Sequence, residues 1–127
     1  MFICLKSLKI TTLLASLYFC FGSVTLAQTT NHNHMLLSEN QINRKIEALP
    51  QWTTDGKSLQ RTFIFTDFVT AIDFVNQLVE PSEAAGHHPD LEISYNKVSI
   101  TLSTHDAGGL TQLDFSLAEQ ISNLGYP

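Results

Sequence analysis

Three of the five histidines in this 127-residue chain fall within one stretch, EAAGHHPDLEISYNKVSITLSTHDAGGLTQLD, residues 83–114. His87 and His88 stand before a segment of strand-like alternation, and His105 stands after a second such segment. Imidazole, with an unperturbed pKa of about 6.5, both gives and takes a proton near neutrality. Several histidines without an evident nucleophile suit general acid–base chemistry on a small polar molecule. A single histidine is more often a surface or structural residue; a convergent set points to chemistry.

Convergence depends on the elements between them. Leu91, Ile93 and Tyr95 share one face of an expected strand, and Val98, Ile100 and Leu102 share one face of the next. Asn96-Lys97 lies between the two as a tight turn, although it lacks the favoured glycine. An antiparallel pair with so short a turn brings its outer ends together, so His87, His88 and His105 should meet. Tyr95 reads most simply as a core strand residue, and Asp114, in the first turn of a later helix, as a cap.

The remaining elements follow from periodicity and capping signals. Ser38 and Gln41 form a capping box for a helix that places Ile42, Ile46 and Leu49 on one face and ends before Pro50. Trp52 to Thr54 and Leu59 to Phe65 read as strands around Asp55-Gly56-Lys57, with Phe63 and Phe65 directed into the core. Thr66-Asp67 caps a second helix, with Phe68, Ile72, Val75 and Val79 expected as its buried stripe. Pro81 allows a kink or a fresh turn that carries Glu83 toward the histidines. After Gly108-Gly109, Thr111 and Asp114 open a third helix with Leu113, Leu117, Ile121 and Leu124 inward. The order α-ββ-α-ββ-α predicts an α+β two-layer sandwich, a four-stranded antiparallel sheet with helices on one face.

The spacing Glu83, His87-His88-Pro89, Tyr95, His105, Asp114 resembles the signature of the pterin-4a-carbinolamine dehydratase family. The similarity extends from LLSENQINRKIEALPQW through FIFTDFVTAIDF to the closing helix, roughly residues 36–124. The resemblance implies the same fold, and dehydration of 4a-hydroxytetrahydrobiopterin to quinonoid dihydropterin, a step of tetrahydrobiopterin recycling. It implies catalytic roles for His87, His88 and His105, with Glu83 orienting an imidazole. Gly86, Pro89, Ser103, Thr104 and Asp106 would join the three histidines in holding the pterin. Non-catalytic pterin binding or protein dimerisation on the same scaffold is the alternative, since animal members also serve as dimerisation partners of a homeodomain transcription factor. Family members use no metal or cofactor and associate as dimers or tetramers. Zinc is not expected here either: adjacent histidines on extended backbone point apart and rarely share one ion.

Composition bounds the setting. The length suits one small domain. Residues 1–27 read as a secretory signal peptide, with Lys6 and Lys9 ahead of an apolar run from Ile10 to Phe21 and the small-residue ending Val24-Thr25-Leu26-Ala27. It is followed by a polar linker, 28–35, and a dehydratase-like domain, 36–127. That organisation implies a secreted or periplasmic protein with no stable membrane span once the leader is removed. Translation from Met35, giving a cytoplasmic protein, is the alternative. Both cysteines, Cys4 and Cys20, lie in the leader, so the mature domain would form no disulfide. Losing the leader also leaves five basic against twelve acidic side chains, a formal charge of −7 in place of −5, which disfavours nucleic acid as a direct partner. The Asn31-His32-Asn33-His34 run reads as exposed linker rather than a metal site.

Overall fold

The computed structural model describes residues 34–126, so the expected leader and most of the linker lie outside the described residues. Helix α1, Glu39–Ile46, starts at the capping box: the Ser38 backbone N–H and hydroxyl both donate to Gln41 Oε1, at 2.9 and 2.8 Å. Ile42 and Leu49 are buried and Ile46 packs partly against the core. Strands β1 (Thr53–Thr54) and β2 (Leu59–Ile64) flank a turn in which Asp55 Oδ1 accepts from the N–H groups of Lys57 and Ser58. Those bonds, the Lys57 one first, hold the Asp55 carboxyl below its ordinary range. Their stabilising effect is therefore present above the unfolded-state pKa and fades as pH falls through the lowered folded-state value.

Helix α2, Phe68–Gln77, opens on Asp67, whose Oδ1 accepts from the Thr70 N–H at 2.8 Å. It gives way at Leu78 to a separate helix α3, Val79–Ala85. Pro81 is the third residue of α3, where its missing N–H costs no helical bond. Strands β3 (Asp90–Ser94) and β4 (Lys97–Leu102) form the second hairpin, a short 3₁₀ helix spans His105–Ala107, and α4 runs Gln112–Ser122. The four strands pair antiparallel in the order β1-β2-β4-β3, the α+β arrangement expected from the sequence. Leu59, Arg61 and Phe63 of β2 and Val98, Ile100 and Leu102 of β4 turn one sheet face toward the helices, while Gln60, Thr62 and Ile64 stand on the open face. Phe63, Phe65 and Phe74 form the aromatic centre, with the Phe63 and Phe74 rings 4.6 Å apart.

Two expectations are corrected. The buried stripe of α2 is Ala71 and Phe74, continuing to Leu78, whereas Phe68 and Val79 are exposed and Ile72 and Val75 half-buried. The segment is apolar over two adjoining faces, so helical spacing fits either; the tilted packing of Phe74 against Phe63 and Phe65 selects the first. Tyr95 is not a core strand residue. The register Ser94↔Lys97 makes Tyr95-Asn96 the turn, one residue earlier than expected, and leaves Tyr95 68% exposed at φ +53°. Asn96 fixes that turn: its Nδ2 donates to the Phe65 carbonyl at 2.6 Å, and its own carbonyl accepts from Phe65 N at 2.8 Å. Left-handed backbone is strained for tyrosine and better tolerated by asparagine. Tyr95→Asn is therefore expected to stabilise the fold by about 0.5–1 kcal/mol, read as a rise in thermal midpoint; a fall would show that the tyrosine ring is held by contacts worth more than the strain.

Strand β3 is one of the two sheet edges, and every residue in it is exposed. Leu91 and Ile93 face the helix side but are 40% and 39% exposed, because the helices cover β2 and β4 more fully than the edge. With Val79 they leave an apolar strip at that end of the domain.

Candidate active site

Helix α3 ends on Gly86, whose left-handed φ of +58° turns the chain sharply into His87. The helix does not continue beneath His87, so Glu83 meets the next residue instead: His88 Nε2 lies 2.9 Å from Glu83 Oε1 in an exposed pair. His87 takes the opposite direction. It is buried, and its Nε2–H donates to Asp114 Oδ1 at 2.8 Å. The adjacent imidazoles thus face different carboxylates, as extended backbone requires.

At the other end of the hairpin, Asp90 pairs with Thr101 across β3 and β4, and the chain leaving β4 enters the loop that carries His105. That loop is closed by the bridge between Thr104 and Gly109, with the Thr104 N–H donating to the Gly109 carbonyl at 3.1 Å. His105 Nε2 stands 3.5 Å from Asp90 Oδ2, an ion-pair distance between two exposed groups. The three histidines line one open cleft of about 320 Å³, together with Gly86, Ser103, Thr104 and Asp106. That volume lies within the range of small-molecule sites. Pro89 lies outside this lining, in an adjoining recess that shares His88.

Asp114 organises the buried side of the cleft. It is the N3 residue of the α4 capping box, accepting at Oδ2 from the Thr111 N–H (2.7 Å) and hydroxyl (3.3 Å) and from the Thr104 hydroxyl (2.8 Å). With His87 on Oδ1, four donors converge on a fully buried carboxylate. The cap expected from sequence is present, and the same side chain also fixes an imidazole. Holding the proton on Nε2 leaves Nδ1 as the ring atom open to a ligand, an acceptor in the neutral ring. Ser103 and Thr104 also have structural work: the Ser103 hydroxyl donates to the Lys57 carbonyl at 3.0 Å, and that of Thr104 to Asp114. What they offer a ligand's polar edge is chiefly backbone, beside the Asp106 carboxylate.

Sequence reasoning did not find Asp90 as the His105 partner or the Thr104–Asp114 bond. Asp90 carries no periodic signal, and the second contact spans a loop whose closure only the fold defines. His34, read as exposed linker, also lines the cleft mouth. It is placed there by Leu37, whose N–H donates to the Leu110 carbonyl at 2.9 Å just beyond the His105 loop. Among the described residues, no group of three or more His, Cys, Asp or Glu side chains is placed to hold a metal ion.

Each imidazole thus presents its Nε2 to a carboxylate while sharing one cleft, an arrangement fitted to moving protons on a bound molecule. Residues 35–124 match the family described as pterin 4 alpha carbinolamine dehydratase. A Cyanothece sp. protein provisionally named for that activity is 64% identical over 89 residues, covering 70% of this chain and 92% of its own. A Nostoc sp. protein with the same provisional name is 60% identical over 89 residues, 70% of this chain and 96% of its own. The crystal structure of a transcriptional coactivator/pterin dehydratase from Brucella melitensis superposes with a TM-score of 0.65 at 37% identity, over 69% of this chain and 96% of the other. The chain therefore belongs to the pterin 4 alpha carbinolamine dehydratase family.

Proposed function

We propose that this protein dehydrates 4a-hydroxytetrahydrobiopterin to quinonoid dihydropterin. The observation that carries the reading is the cleft in which three imidazoles, each backed by a carboxylate, face a space of small-molecule size. In the reaction the N5 lone pair expels the 4a-hydroxyl, which leaves poorly as hydroxide and well as water. An acid protonates the departing oxygen, the C4a–O bond breaks as the N5–C4a double bond forms, and a base removes the proton left on the cationic product. Water and the neutral quinonoid dihydropterin are released.

His88 and His105 are exposed to the cleft and serve the 4a-oxygen in this scheme, oriented by Glu83 and Asp90. His87, fixed by Asp114, presents Nδ1 to the pterin. Asp106 and the backbone around Ser103 and Thr104 hold the amide and amino edge of the ring.

Stopped-flow dehydration of chemically generated 4a-hydroxytetrahydropterin by the protein from residue 28 onward tests the proposal. Ordinary turnover supports it, while a rate equal to the uncatalysed one reduces the cleft to a binding site. Because the scheme uses only side-chain protons, turnover is expected to survive prolonged chelation. Stoichiometric zinc whose removal abolishes activity would replace the acid–base scheme with a metal one.

A further inference from the structure

His34 lines the same cleft as His87, His88 and His105, and the scheme above gives it no task. It stands one residue outside the span 35–124 that matches the family, so its place at the site belongs to this chain and not to the family match. The segment that follows it is fixed at two points on the loop carrying His105. Leu37, whose N–H donates to the Leu110 carbonyl at 2.9 Å, also packs partly against the core. Leu36 lies against the buried Gly109, its Cδ2 only 3.1 Å from the place a Cβ would occupy there. Gly109 in turn closes the loop through its bridge to Thr104. Residues 34–37 thus form a strap laid along that loop, and the strap delivers an imidazole to the cleft.

What that imidazole does follows from its surroundings. His87, His88 and His105 each face a carboxylate, which holds a ring in one orientation as proton transfer requires. Among the described residues those are the histidine–carboxylate pairs, and His34 is in none of them. An exposed ring without such a partner suits binding better than proton transfer. The polar edge of a pterin presents one acceptor, the C4 oxygen, beside two donors, N3–H and the C2 amino group. The Asp106 carboxylate only accepts, so it answers the donors and leaves the oxygen. The hydroxyls in the lining are committed elsewhere, Ser103 to the Lys57 carbonyl and Thr104 to Asp114, as is the Nε2–H of His87. His88 and His105 serve the 4a-oxygen. His34 is the side chain of the lining that remains able to donate.

We propose that His34 is a substrate-binding residue of this cleft, donating a hydrogen bond from the strap to the C4 oxygen of the pterin. The inference rests on the dehydratase reading for its substrate. It is tested in the full chain with His34→Ala, His34→Gln and His34→Phe, by stopped-flow dehydration of 4a-hydroxytetrahydrobiopterin. His34→Ala should raise KM roughly 3- to 10-fold with little change in kcat, the size of one hydrogen bond. Glutamine keeps an N–H donor and should recover part of the loss, whereas phenylalanine keeps the bulk of a ring without a donor and should not. The exposed position makes all three variants compatible with the fold, which a thermal melt checks.

A KM in His34→Ala equal to that of wild type overturns the proposal and leaves the dehydratase reading intact. So does a loss that phenylalanine repairs and glutamine does not, which marks the contact as packing, or a fall in kcat alone, which marks His34 as a proton-transfer group. If wild type does not accelerate dehydration, the dehydratase reading fails. The role of His34 is then decided by equilibrium dialysis of 7,8-dihydrobiopterin, which carries the same C4 oxygen. Weaker binding by His34→Ala and His34→Phe than by wild type supports it, whereas equal affinities, or no binding by wild type, overturn it.

Discussion

Replacing His88 or His105 by alanine should lower the dehydration rate by roughly 10²- to 10⁴-fold, the usual contribution of a positioned acid or base, with the fold intact. Structural cost should be small, because both side chains are largely exposed and their carboxylate partners remain solvated when they are removed. A fall in kcat with little change in KM marks the loss of proton transfer rather than of binding. Circular dichroism and a thermal melt of each variant separate the two effects. A variant that stays folded and within a few-fold of wild type removes that histidine from the chemistry.

The elements were legible where one physical signal dominated. Strand β4 could be read from Val98, Ile100 and Leu102 because it lies inside the sheet, and all three are buried against the helices. Strand β3 shows the same alternation, yet Leu91 and Ile93 remain partly exposed. Alternation reports which face a side chain takes, not whether anything covers that face. Helix α2 failed differently. Its apolar residues cover more than one face, so the choice between Phe74 and Ile72 as the inward residue depends on Phe63 of β2 and on Phe65 just after it, aromatic neighbours that no local pattern contains. The Tyr95 turn was misplaced by one residue because its conformation is imposed by pairing across the hairpin and by Asn96 on Phe65, against the preference of tyrosine itself.

The grouping of His87, His88 and His105 was legible because hairpin topology alone brings the flanks of β3 and β4 together. Their partners were less so. Glu83 was placed by its helical distance from His87, but Gly86 ends the helix and hands it to His88. The sequence position of Asp114 revealed the helix cap, whereas its burial and its reach to a side chain 27 residues earlier are properties of the packed domain.

That double use of Asp114 makes its substitutions the sharpest structural test of the site. Asp114→Ala leaves the Thr104 hydroxyl, the Thr111 N–H and His87 Nε2–H without their shared acceptor in a buried position, and should destabilise the domain by about 2–4 kcal/mol. Asp114→Asn is more discriminating. Three donors converge on Oδ2, so the amide oxygen should take that position and its NH₂ should face His87 Nε2. The ring nitrogen must then accept, which moves the neutral imidazole's proton to Nδ1 and turns the ligand-facing atom from acceptor to donor. The fold should survive with a modestly lower thermal midpoint, while the dehydration rate falls roughly 10- to 100-fold, as for other lost orienting partners. Imidazole ¹⁵N chemical shifts report the tautomer without reference to activity. An unchanged tautomer removes the proposed orienting role, and a switched tautomer with undiminished turnover shows that His87 Nδ1 takes no part in the reaction.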